Sequence, residues 1–253
     1  MARSLLESEG LAVRLQSLVG KPIAEGIAWL PDSWRDKVNS AAEMALKKAL
    51  NVAIDSLDAE APARKKSDGL HKMMAAASGA LGGAFGLPAL VVELPVSTTI
   101  IMRSIADIAR AEGEDLSSLA ARLACVEVFA LGGTGTHDDY ADTGYYAVRT
   151  ILAQQVSEAV RHIAGGGAAR ASASPIARLI TSIASRFGVV VSEKALAASI
   201  PIVGAAGGAM INTLFIDHFQ EVARGHFIVR RLERQYGRDV VRRFYESLPR
   251  DEQ

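Results

Sequence analysis

The chain has 253 residues, the size of one large domain or two small ones, and 49% are hydrophobic, so a sizeable core needs no disulfide or metal staple. Lys+Arg and Asp+Glu both number 28, which removes the overall positive field that a nucleic-acid partner would require. The one cysteine, Cys125, cannot form an internal disulfide and lies between apolar neighbours, as a small buried hydrophobe in a reducing compartment would.

Sustained polar/apolar alternation is missing, while apolar periods of about 3.6 recur along the chain, so the expected class is all-α. The reading is a single compact multi-helix domain at residues 31–248, with an N-terminal helix and connection at 1–30 and a tail at 249–253. Glu7 and Glu9 interrupt any secretory core near the N-terminus, and neither a myristoylation glycine nor a prenylation cysteine is in place, so a cytoplasmic protein is expected.

A first amphipathic helix is expected from Ser4 to Leu18, with Leu5, Leu6, Leu11, Leu15 and Leu18 near one face and Gly20-Lys21-Pro22 ending it. Pro31-Asp32-Ser33 offers a cap for a helix from Trp34 to Leu57, striped by Val38, Ala42, Ala45, Ala49 and Val52. Ser67-Asp68 caps a third. From Met73 to Met102 the only charge is Glu93, and the Pro88 and Pro95 breaks divide this run into two buried helices, one ending near Phe85 and one running from Pro95 to Ala111. A membrane hairpin is the alternative, weakened because alanine and glycine supply much of the apolar content.

Asp115 or Ser117 opens the next helix, which continues to Gly132-Gly133. A polar loop at 134–139 precedes a helix from Tyr140 to Ile163; Gly165-Gly166-Gly167 then makes the clearest linker, and Pro175 begins a helix to Phe187. Between Gly188 and Ile216 the only charges are Glu193 and Lys194. Helices at Phe215 to Tyr236 and Arg238 to Leu248, separated by Gly237, close the chain. The segments from Pro95 to Arg110 and from Pro201 to Arg224 share a register that is as compatible with chance as with duplication.

Gly79, Gly82, Gly83 and Gly86, and again Gly204, Gly207 and Gly208, recur every three to four residues. Two Gly/Ala-rich apolar hairpins packed in the core are therefore expected, since bare helix faces permit close approach; an interface within lipid uses the same spacing. Glu93, Glu127 and Asp217 lie in apolar surroundings, where a carboxylate must be paired, hydrogen-bonded or protonated. Arg103 and Asp107, four apart, share a helix face and could anchor such a network. Its plainer role is to fix helix register; its chemical one is an acid/base or ligand site using Glu93, Arg103, Asp107, Glu127, Asn212, Asp217 and His218.

His137, Asp138, Asp139 and Asp142 could hold a metal, but no second histidine stands at ligand spacing, and an aspartate capping a helix explains the cluster more simply. No cofactor motif is present: phosphate-loop and nucleophile-elbow patterns are absent, and Gly79 to Ala84 lacks the strand a dinucleotide fingerprint follows. Arg230, Arg231, Arg234, Arg238, Arg242 and Arg243 form a basic face, either simply solvated or suited to anionic lipid or an acidic partner.

Phe85-Gly86-Leu87-Pro88, Glu93-Leu94-Pro95, Thr98-Thr99 and Arg103 to Ala109 resemble the signature of the EcsC family of bacterial proteins, as do Thr143 to Arg149, Arg186 to Lys194 and Pro201 to Gly225. The likeness runs from about Ser33 to Gly237. It implies a helical protein, cytoplasmic or peripheral to the inner face of the membrane, from a family named for a gene beside an ABC-transporter operon; it supplies no catalytic residues. Three functions follow as expectations: an accessory protein at the membrane surface or with a transporter, a hydrolase using the buried carboxylates, and a homo-oligomeric helical scaffold.

Overall fold

A computed structural model describes residues 1–7, 10–20, 23, 32–55, 73, 87–133, 144–167, 174–200 and 204–248. Among these residues there are nine helices and no strand: α1 (Ala2–Leu6), α2 (Leu11–Val19), α3 (Asp32–Asp55), α4 (Leu87–Ala111), α5 (Leu119–Leu131), α6 (Tyr145–Ala164), α7 (Ser174–Ser199), α8 (Gly204–Tyr236) and α9 (Arg238–Ser247).

The arrangement follows from α5. Every residue from Leu123 to Leu131 is buried, so this part of the helix is apolar on all sides apart from Glu127 and must be enclosed. α3, α4, α6, α7 and α8 pack around it. Phe129 of α5 meets Phe187 of α7 and Phe219 of α8, each at 5.2 Å between ring centroids, and Phe215 joins the same cluster. α3 lies along α4 and α7, α2 covers α7 and α8, and one continuous core draws side chains from all nine helices.

Four expected boundaries are corrected. The helix expected over Ser4 to Leu18 is two, with extended backbone at Gly10 between them; the break lets α1 lie on α8 while α2 reaches α7. Pro95 does not begin a helix but sits inside α4. Its missing N–H costs about 3 kcal/mol in a helix interior, and the burial of Leu90 and Leu94 on the turn before it outweighs that loss. α7 does not stop at Phe187. Val190, Val191 and Ala195 carry its buried face onward, and a Cβ on Gly188 would lie 3.2 Å from Asn39 Oδ1, so this glycine marks a close crossing with α3. α8 begins at Gly204 rather than near Phe215.

The helix expected after Ser67, the glycines from Gly79 to Gly86, and the loop with His137, Asp138, Asp139 and Asp142 lie outside the described residues. Gly207 and Gly208 are buried in the first turns of α8. Gly165-Gly166-Gly167 ends α6, and α6 and α7 pack together across it, so this linker joins neighbours instead of dividing domains.

Among the described glycines, the closest approach to a neighbouring backbone is just past the end of α5. A Cβ on Gly133 would stand 2.2 Å from the backbone oxygen of Arg186 in α7, a contact that no side-chain rotation relieves. Gly133→Ala is expected to lower stability by about 1–3 kcal/mol through overpacking, measured as a shift in the denaturant midpoint with an unchanged slope.

Candidate functional site

Glu93 is placed in the second turn of α4, Lys194 near the end of α7, and Asn212 in the third turn of α8. Each helix presents its polar residue to the same dry junction because the flanking positions, Leu94, Ala195 and Ile211, are core. Lys194 Nζ lies 2.8 Å from Glu93 Oε2, and Asn212 Nδ2 donates to Glu93 Oε1 at 2.6 Å. The Lys194 and Glu93 side chains are 3% and 8% exposed. The ammonium also stands 4.4 Å from the Phe215 ring centroid, a cation–π contact in a desolvated setting. Burial alone raises the Glu93 carboxyl; the Lys194 charge and hydrogen bond, with Asn212 and Ser97, outweigh it and hold it below its ordinary range.

A second polar region surrounds Glu127. Arg149 of α6 grips Glu233 of α8 through two hydrogen bonds of 2.8 and 2.9 Å, and its guanidinium faces the rings of Tyr145 and Tyr146. Tyr145 Oη and His226 Nδ1 are 2.9 Å apart, and burial pushes the imidazole well below its usual range, so it is neutral at pH 7. Burial pushes the Glu127 carboxyl up, opposed by the nearby charges of Arg230, Arg149 and Arg238. Among the described residues no hydrogen bond or ion pair reaches it.

The candidates named from sequence do not form one site. Glu93 and Asn212 come together, while Glu127 has its own neighbours. Asp107 pairs with Arg110 at 3.1 Å, and Arg103 is exposed, so the expected Arg103–Asp107 anchor is replaced. His218 Nε2 lies 2.7 Å from the Gly132 carbonyl oxygen, and burial lowers its basicity. Asp217 is only partly buried. Among the described residues no three or more His, Cys, Asp or Glu side chains are grouped to hold a metal ion.

The basic face is also divided. Arg230 and Arg234 both bind Glu114, and Arg231 pairs with Glu112 at 2.7 Å, so these three cations clasp the turn after α4. Arg242 pairs with Glu246 at 2.8 Å, leaving Arg238 and Arg243 as exposed cations of that face without an ion pair among the described residues.

Lys194 was the residue that sequence reading passed over as a site candidate. The signal was available: each long apolar stretch carries isolated charge, Glu93 in one and Glu193-Lys194 in the other, and opposite charges stranded in dry segments must find each other. Among the described residues no cation pairs with its neighbour Glu193. Burial pushes that carboxyl up to about 7, offset only in part by the Ala12 backbone N–H in the first turn of α2.

The model of the EcsC protein family matches residues 6–232. No curated protein and no solved structure matches. Among the described residues, Pro175–Ser199 is long and apolar enough to cross a membrane, with 44% of its most apolar window buried inside the fold.

Lys194→Met would leave Glu93 as a buried, uncompensated charge, and a loss of roughly 3–5 kcal/mol is expected. The double variant Glu93→Leu/Lys194→Met should recover much of that loss in denaturant unfolding; no recovery would mean that the pair is not what these helices share. For Glu193 the folded state holds its proton above the ordinary 4.5, so stability should fall as pH rises from 4.5 through about 7 and then level off. The loss is about 3 kcal/mol, and Glu193→Gln should flatten that part of the stability–pH curve.

Proposed function

We propose, from the premise that the chain belongs to the EcsC protein family, that it acts through contact and not through a reaction, as a helical accessory protein at the cytoplasmic membrane surface. The observation that carries this reading is the use made of the buried ionisable groups. Glu93, the sole charge of its apolar stretch, is closed by Lys194 and Asn212 from two other helices. Arg149 is likewise occupied by Glu233, and Arg230 by Glu114. Groups held in this way lock helix register, and an acid or base already committed on both oxygens has little freedom to exchange a proton with a substrate.

Membrane attachment is supported by what stays outside these pairs. Arg238 and Arg243 remain in solvent at the C-terminal end of the molecule, on a helix that also exposes large apolar side chains. Cations combined with apolar side chains on one helix suit an interface with anionic lipid, and the attraction is screened by salt.

The test is flotation of the purified chain with vesicles containing phosphatidylglycerol, compared with vesicles of phosphatidylcholine alone. Recovery with the anionic vesicles at low salt, reduced at high salt, is the expected result. Equal recovery without vesicles, or indifference to lipid charge and salt, would remove the membrane reading.

A further inference from the structure

We propose that the outer edge of α9, made by Val240, Phe244 and Leu248 with Arg243 beside them, is the part of the protein that enters an anionic bilayer interface. The proposal rests on the membrane-surface reading above and gives it a location.

α9 is the most sharply two-sided of the described helices. Val240, Val241, Phe244 and Tyr245 fall on one side, while Arg238, Asp239, Arg242, Arg243 and Glu246 fall on the other. The fold covers only part of the apolar side: Val241 and Tyr245 are buried. Val240 is left 51% exposed and Phe244 67% exposed, and Leu248, where the helix ends, is 36% exposed. Val240 and Phe244, four residues apart, lie along one line of the helix, and Leu248 follows them at its C-cap.

This edge is held in place. Tyr245 packs its ring against Tyr145 and Tyr146 at 5.5 and 5.4 Å. Arg3 of α1 donates to the backbone oxygens of Tyr245 and Leu248, closing carbonyls that the end of α9 would leave open. Buried Val241 and Tyr245 orient the helix, so Val240 and Phe244 are presented outward by packing.

The charges select the occupant. Arg243 lies three residues from Val240 and next to Phe244; its Nε donates to the Asp239 backbone oxygen at 3.3 Å, and its charge has no ion pair among the described residues. Glu246 is held by Arg242, and Asp239 and Glu246 fall away from the apolar line at helical spacing. A second copy of the chain is a poor fit, because three side chains on a helix of 10 residues fall far short of the roughly 800 Å² per partner that a stable interface buries. A bilayer interface needs no complementary surface. It accepts an aromatic wedge with a cationic neighbour, and anionic headgroups supply the matching charge.

Phe244→Cys can be labelled with an environment-sensitive fluorophore because Cys125, the only native thiol, is fully buried and burial pushes its thiol far up. The label is expected to shift to the blue with phosphatidylglycerol vesicles and not with phosphatidylcholine. A label at Ile151→Cys, exposed on α6, should remain aqueous. Val240→Ser/Phe244→Ser, with helix content checked by circular dichroism, should lower vesicle partitioning by about tenfold or more, and Arg243→Glu should lower it on anionic vesicles. If the unmodified chain floats while the label at 244 stays aqueous and the double serine variant still floats, this edge is wrong and the membrane reading survives. If the unmodified chain does not float, both fall. A blue shift that depends on protein concentration without lipid would assign the edge to a second copy and overturn the proposal.

Discussion

A carboxylate and an ammonium taken out of water separately would each cost several kcal/mol, and neither Glu93 nor Lys194 has a route to solvent that avoids this cost. They can be buried together only if α4 and α7 meet at one register, with α8 bringing Asn212 to the remaining carboxylate oxygen. Apolar contacts alone would tolerate a shift by a helix turn, because one valine or leucine packs about as well as the next. A charge pair with a third hydrogen-bonding partner does not. This junction therefore sets how the three long helices lie, and the continuous course of α4 through Pro95 is in keeping with that demand, since Glu93 belongs to the turn before the proline.

The packing around α5 works with that constraint. Phe129, Phe187, Phe215 and Phe219 fill the space between α5, α7 and α8, and Phe215 also borders the Lys194 ammonium, so the aromatic cluster and the ion pair share a wall. Gly133 allows α5 to end against the backbone of α7 without a gap. On the other side of α5, Arg149 and Arg230 each bind a glutamate of their own and leave Glu127 under their combined field without direct contact. The two polar regions thus differ in kind: the Glu93 carboxylate is closed by short contacts, whereas Glu127 has no hydrogen bond or ion pair among the described residues.

Helix periodicity made the all-α class legible, as did the ends at Gly20 and Gly237, where the backbone takes positive φ. The isolated charges announced that something in each apolar stretch had to be paired. Pro95 and Gly188 misled for the same reason. Local propensity sets a helix boundary at both, whereas the burial of Leu90 and Leu94 before Pro95 and of Val190 and Val191 after Gly188 is a tertiary gain that propensity does not contain. Arg103 and Asp107 were correctly placed four apart on one helix, yet Arg110 took the aspartate, because spacing brings side chains within reach without deciding which way each one turns.

The apparent basic face shows the same limit from the other direction. Six arginines in a short C-terminal span read as one surface, but Glu112 and Glu114, more than a hundred residues earlier, draw three of them onto the turn after α4. Membership of the EcsC family, the helical class, the cost of stranded carboxylates and the two-sided character of α9 follow from residue order, because family signature, periodicity and solvation energy are local properties of a chain. Which cation answers Glu93, which arginines remain in solvent, and which half of α9 is left uncovered were decided by the fold. Those outcomes depend on distances between residues far apart in sequence, and only a packed core sets such distances.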